Sequence, residues 1–66
     1  MRKYVVGYYN KAATKEDFVI LATMDSFAVG MFVRDSYNKT YKEVGMTANV
    51  ILLKKCEVPN NYNFAD

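Results

Sequence analysis

Histidine and tryptophan are absent from this 66-residue chain, and cysteine and proline occur once each. With Cys56 as the single thiol no internal disulfide can form, and without histidine there is no Cys/His set for structural zinc. A chain of this length buries only roughly 60% of the surface its unfolded form exposes, so it reads as one small domain without staples. Long apolar runs are missing too. The stretches Phe18 to Ala22, Phe27 to Val33 and Val50 to Leu53 fall far short of the ~20 residues a spanning helix needs. The start, Met1-Arg2-Lys3-Tyr4-Val5-Val6-Gly7, has neither the apolar stretch nor the small-residue cleavage site of a signal peptide. The expectation is a cytoplasmic protein with no membrane partner, whose first residues belong to the fold. No charge of one sign dominates: nine bases face seven acids, a net of +2. That balance argues against a dedicated polyanion binder without removing the class.

What is present is apolar and aromatic. Residues of apolar type make up 52% of the chain, with six tyrosines and four phenylalanines, enough to drive folding. Residues 2–9 alternate Tyr4, Val6 and Tyr8 against Val5, Gly7 and Tyr9, a β-branched and aromatic pattern that predicts a first strand. A polar stretch over 10–16 has hairpin-loop length, and residues 17–24 then place Phe18, Ile20, Ala22 and Met24 on one face of a second strand. Residues 47–58 predict a third, ended by Pro59, with Val50, Leu52 and Cys56 opposite Ile51 and Leu53. The domain is expected to span 1–58. Residues 59–66, rich in asparagine with two isolated aromatics, read as a flexible C-terminal tail.

Between Asp25 and Gly45 the period decides. At 100° per residue, Val29, Gly30, Val33, Ser36, Tyr37, Thr40, Tyr41 and Val44 share one uncharged arc of about 140°, with the charged residues from Arg34 to Glu43 outside it. This predicts a helix over 26–44, with Asp25 as N-cap, Gly45 as left-handed C-cap residue and an Asp35–Lys39 pair one turn apart. The alternative is a small all-β barrel in which 35–39 form a turn. The predicted fold is α+β: a three-stranded antiparallel sheet in β-β-α-β order, strand order 2-1-3, with one long helix on one face.

Residue types speak against catalysis. No histidine is available as a base, and Glu16, Asp17, Asp25, Asp35 and Glu43 read as solvated or capping carboxylates. Cys56, two residues along a strand from Lys54, reads as a small side chain filling the sheet. Gly7, Gly30 and Gly45 are isolated, so no phosphate-cradling loop exists; Gly7 marks a close helix approach or a bulge, and Gly30 lets the helix sit close to the sheet. The expectation is a non-enzymatic protein with no catalytic residue, cofactor or metal.

Surfaces are more informative. Antiparallel pairing of strands one and three gathers Arg2 and Lys3 with Lys54 and Lys55 at one end of the sheet, near Tyr4, Tyr8 and Tyr9. Such a surface can stack single-stranded bases and neutralise phosphates, the alternative functional reading. The leading reading rests on apolar excess. One helix covers one sheet face, so the second face calls for a cover, expected to be a second copy in a homodimer. The first half of the helix also carries Phe27, Ala28, Met31 and Phe32 outside its core-facing arc, and Phe27, Met31 and Phe32 form the candidate partner surface.

The whole pattern resembles the short accessory proteins made early by tailed bacteriophages: a Met-Arg-Lys-Tyr-Val-Val start, a polar hairpin loop, Met24-Asp25-Ser26 opening a helix, and Val50-Ile51-Leu52-Leu53-Lys54-Lys55 as last strand. The likeness covers residues 1 to 58 and lies in architecture. It implies a binder that inhibits or redirects a host protein, in host takeover or counter-defence within an infected bacterium. It transfers no functional residue.

Overall fold

The computed structural model describes residues 2–12 and 15–65, with the side chains of 11, 12, 15 and 16 left aside. Of the loop expected over 10–16, residues 10–12 and 15–16 instead extend the two paired strands, and residues 13 and 14 with the Glu16 side chain lie outside the described residues. Strand β1 (Tyr4–Ala12) and strand β2 (Lys15–Met24) form the hairpin, followed by helix α1 (Phe27–Glu43), strand β3 (Ile51–Lys54), a 3-10 turn (Lys55–Glu57) and strand β4 (Tyr62–Phe64). The sheet runs β3-β1-β2-β4. The α+β class and the 3-1-2 neighbourhood agree with the sequence; the fourth strand and its parallel pairing on β2 do not.

Helix α1 replaces the barrel alternative. It starts one residue later than expected because Ser26, not Asp25, caps it: the Ser26 hydroxyl accepts from the Val29 N–H at 3.3 Å. Asp25 instead accepts from the Lys3 N–H at 3.2 Å, tying the helix start to β1. At the other end Gly45 adopts a φ of +77°, the left-handed conformation expected of it. The buried stripe is rotated. Gly30 is buried, and Val33, Tyr37 and Tyr41 pack on the sheet, but Val29, Ser36, Thr40 and Val44 are exposed while Arg34 and Asn38 are half-buried. The shift is about 60° of helix rotation. Its cause is Asn38, whose side chain donates to the Val50 carbonyl and accepts from the Val50 N–H, both at 2.9 Å. Asp35 pairs with the adjacent Arg34 at 3.0 Å, not with Lys39.

Strand β3 is shorter than expected over 47–58. Asn38 holds Val50 at its start, and the Lys54 N–H donates to Glu57 Oε1 at 2.9 Å, which rolls 55–57 into the 3-10 turn. Cys56 consequently leaves the sheet and is exposed, against the expectation that it fills it.

A register shift between Val6 and Gly7 sets Val6 opposite Ala22 but Gly7 opposite Ile20, leaving Leu21 as the extra residue of a bulge. A one-residue insertion exchanges the faces of a strand. Phe18 and Ile20 therefore join Val5 on the face away from α1, whereas Ala22 and Met24 lie beneath it, so the single face drawn through Phe18, Ile20, Ala22 and Met24 is split.

The face expected to be open is closed by the chain itself. Val5, Phe18 and Ile20 are at most 1% exposed, with Ile51, Leu53 and Val58 packed around them. Residues 59–65 of the expected tail are anchored: Phe18 N–H donates to the Asn61 carbonyl at 3.0 Å, Ala65 N–H to the Ile20 carbonyl at 2.8 Å, and the Asn61 amide to the Asp17 carboxylate. Two crossovers thus connect parallel strands, β2 to β3 through α1 and β3 to β4 through 55–61. They travel in opposite directions across the sheet, and crossovers of one hand then lie on opposite faces.

Candidate functional site

With both sheet faces occupied, the apolar surface that remains lies largely on the outer side of α1. Gly30, Val33, Tyr37 and Tyr41 face the sheet, so Met31 and Phe32 between them point outward, while Phe27, one turn before Gly30, is left exposed as the first residue of the helix. Phe27 is 55% exposed, Met31 38% and Phe32 73%, as the sequence predicted for these three. Phe32 also borders a shallow apolar groove of ≈ 300 Å³ continued by Val33, Tyr37 and Tyr41. Sequence reading missed this groove, because it turned Tyr37, Thr40 and Tyr41 wholly towards the sheet. Within the groove, burial raises the Tyr41 phenol above its ordinary pKa, helped by the neighbouring Tyr8 and Tyr37; their rings stand 6.2 and 5.8 Å from its own.

The Phe27 ring meets Tyr4 edge-on at 5.7 Å, which joins the helix patch to the margin between β1 and β3. There Tyr4 pairs with Lys54 in register, and the Lys3 carbonyl accepts from the Lys55 N–H at 2.8 Å. The outcome is an open recess of ≈ 610 Å³ lined by Lys3, Tyr4, Lys54, Lys55 and Cys56. Antiparallel pairing thus unites Lys3, Tyr4, Lys54 and Lys55 as expected, and Arg2, exposed, directly precedes Lys3. Tyr8 and Tyr9 do not join them. Tyr8 lies under α1 against Tyr41, and Tyr9 crosses to the other face against Phe18 at 5.2 Å.

A further aromatic pair, Tyr62 and Phe64, is exposed at the β4 margin with ring centroids 5.8 Å apart. Sequence reading left these two isolated in a tail. Among the described residues no group of three or more His, Cys, Asp or Glu side chains is placed to hold a metal ion. No helix among them is long and apolar enough to cross a membrane. Compared with known protein families, curated proteins and solved structures, the chain matches none.

Proposed function

We propose that the chain is a small, non-enzymatic protein-binding modulator that engages its partner through the first half of α1, centred on Phe27, Met31 and Phe32. The observation carrying this reading is the exposure of all three side chains in a molecule whose two sheet faces are covered by its own chain. Large apolar groups left in water cost solubility and are characteristic of interaction surfaces. The resemblance to early phage accessory proteins directs the reading to a host protein, inhibited or redirected in the cytoplasm of an infected bacterium. Self-association is expected to use the same helix patch, since the sheet face first assigned to it is closed.

The test compares wild type with Met31→Ser and Phe32→Ser, each first shown to keep its melting temperature, in capture from host lysate followed by titration of the purified partner. Loss of an aromatic anchor worth ~2 kcal/mol corresponds to roughly 30-fold weaker binding. Unchanged affinity in both variants sinks the reading. Light scattering on the same proteins identifies the occupant: a dimer that Phe32→Ser dissociates places a second copy on the patch, and a monomer leaves it to another protein.

A further inference from the structure

We propose that the recess between β1 and β3 is a second site, which takes a short single-stranded nucleic acid with its phosphates on Lys3, Lys54 and Lys55 and a base stacked on Phe27. The charge is the first observation. The Tyr4–Lys54 register brings three lysines to one recess with Arg2 beside it. The two nearby acids are already occupied by main-chain donors, Asp25 by the Lys3 N–H and Glu57 by the Lys54 N–H. Four bases thus stand against two acids, and among the described residues the only ion pair is Arg34–Asp35, elsewhere on the helix. The first turn of α1 contains no acidic residue, so the positive end of its dipole, adjoining Tyr4 through Phe27, adds to this potential.

The aromatic ring is the second observation. Phe27 rests edge-on against Tyr4, which lines the recess, and remains more than half exposed, so a ring held by its neighbour leaves surface free next to the lysines. A nucleotide carries a planar base tethered to its own phosphate, which suits that juxtaposition. An acidic peptide carries no planar group obligatorily next to its charge. In a duplex the bases are already stacked on one another, so only an unpaired strand can offer a base to Phe27. This site shares only Phe27 with the protein-binding patch, so a change at Phe32, which does not line the recess, tests the patch alone.

Fluorescence anisotropy with labelled oligo-dT and oligo-U of about ten nucleotides, the site size of a small single-strand binder, tests the proposal. An abasic phosphate chain of equal length and poly-glutamate are the comparison ligands. Both oligonucleotides are expected to bind at low salt. The Lys54→Ala/Lys55→Ala double variant should weaken binding and reduce the log–log salt slope by ~1.4, at about 0.7 per phosphate contact on single strands. Phe27→Leu should weaken oligonucleotide binding by roughly fivefold or more, while leaving the salt slope and the abasic chain unaffected. Phe32→Ser should leave all of it unchanged, so failure here is distinguishable from failure of the protein-binding reading. The proposal is overturned if neither oligonucleotide binds at low salt, if the abasic chain binds as tightly as oligo-dT, or if poly-glutamate displaces the oligonucleotide at equal charge concentration. Circular dichroism of each variant confirms that it is folded before titration.

Discussion

On one face of the sheet Val6, Met24 and Val50 lie beneath a helix of seventeen residues with a rim of tyrosines. On the other, Val5, Phe18 and Ile20 are buried even more completely beneath Val58 and the short path to β4. The helix has more apolar surface than its covering role consumes, and it displays the surplus on its outer side. The crossover has no such surplus near Val58, and at Asn61 both the main-chain carbonyl and the side chain are committed to β2. A small domain without an internal disulfide can therefore close its second face with very little chain, provided that chain is pinned by hydrogen bonds as well as by contact. Near Val58 the crossover only covers, whereas the helix covers with one side and leaves large apolar side chains exposed on the other.

The harshest way to break this comparison is to remove the thin cover. Deleting Val58 to Asp66 should abolish cooperative thermal unfolding, because it returns Val5, Phe18 and Ile20 to water. Phe18→Ala, a milder probe of the same face, should cost ~3–5 kcal/mol in urea denaturation. A truncated chain that melts like the full one would show that the crossover covers without stabilising.

The two glycines sharpen the contrast. A Cβ on Gly7 would run into the Val19 carbonyl oxygen and lie 2.7 Å from the Phe18 ring, on the crossover face. Backbone cannot step aside there, so Gly7→Ala should cost about 3 kcal/mol, the upper end for overpacking. A Cβ on Gly30 meets only side chains, the nearest Leu52 Cδ1 at 2.7 Å, and alanine gains ~1 kcal/mol of helix propensity. Gly30→Ala should accordingly fall within about 1 kcal/mol of wild type, and denaturant midpoints of the pair measure the difference directly.

Between these two in size lies Asn38→Ala. It strips both partners from the main chain of Val50, which is 1% exposed, and should cost ~2 kcal/mol. Amide exchange at Val50 should accelerate with it; unchanged protection would mean that the Asn38 bonds do not hold the start of β3.

The smallest effect is one of pH. Burial raises the Tyr41 pKa in the fold, so the folded state holds that proton more tightly than the unfolded chain does. The associated stability is fully present below the unfolded pKa, about 10, and is lost as pH rises through the folded value. Urea midpoints should thus fall more steeply above pH ~10 in wild type than in Tyr41→Phe, and parallel profiles would exclude Tyr41 as the cause.

Much of the fold was legible because it is written in local periods. Alternation placed β1 and β2, a 3.6-residue rhythm with a cap before it and Gly45 after it placed α1, and the basic residues near the ends of strands one and three implied the Lys3–Lys54–Lys55 recess. Met31 and Phe32 were readable as outward because they stand off Gly30, Val33 and Tyr37 around the helix; Phe27 lies one turn before Gly30 on the rolled face and stays exposed as the first residue of α1. Gly7 pointed to a bulge or a close helix approach, and the register shift falls beside it; that the inserted residue is Leu21 on the partner strand was not legible, since one extra residue has no period and Leu21 is as apolar as its neighbours. Exposed Cys56 was misread for a related reason: the end of β3 depends on Glu57 reaching back to the Lys54 amide, a bond that alternation does not encode.

By itself, then, the sequence determined the α+β class, the hairpin, the helix with its capping glycine and the apolar surplus on the helix's first half, because each depends on residues within a few turns or pleats of one another. Only the tertiary structure decided which way α1 is rolled, where β3 begins and what closes the second face. Those outcomes rest on single polar side chains meeting main chain or carboxylate across long separations, Asn38 with Val50 twelve residues on and Asn61 with Asp17 forty-four residues back. An asparagine carries the same letter whether it faces water or pins a strand, and only the folded neighbourhood, which removes water from one of those places, makes the difference.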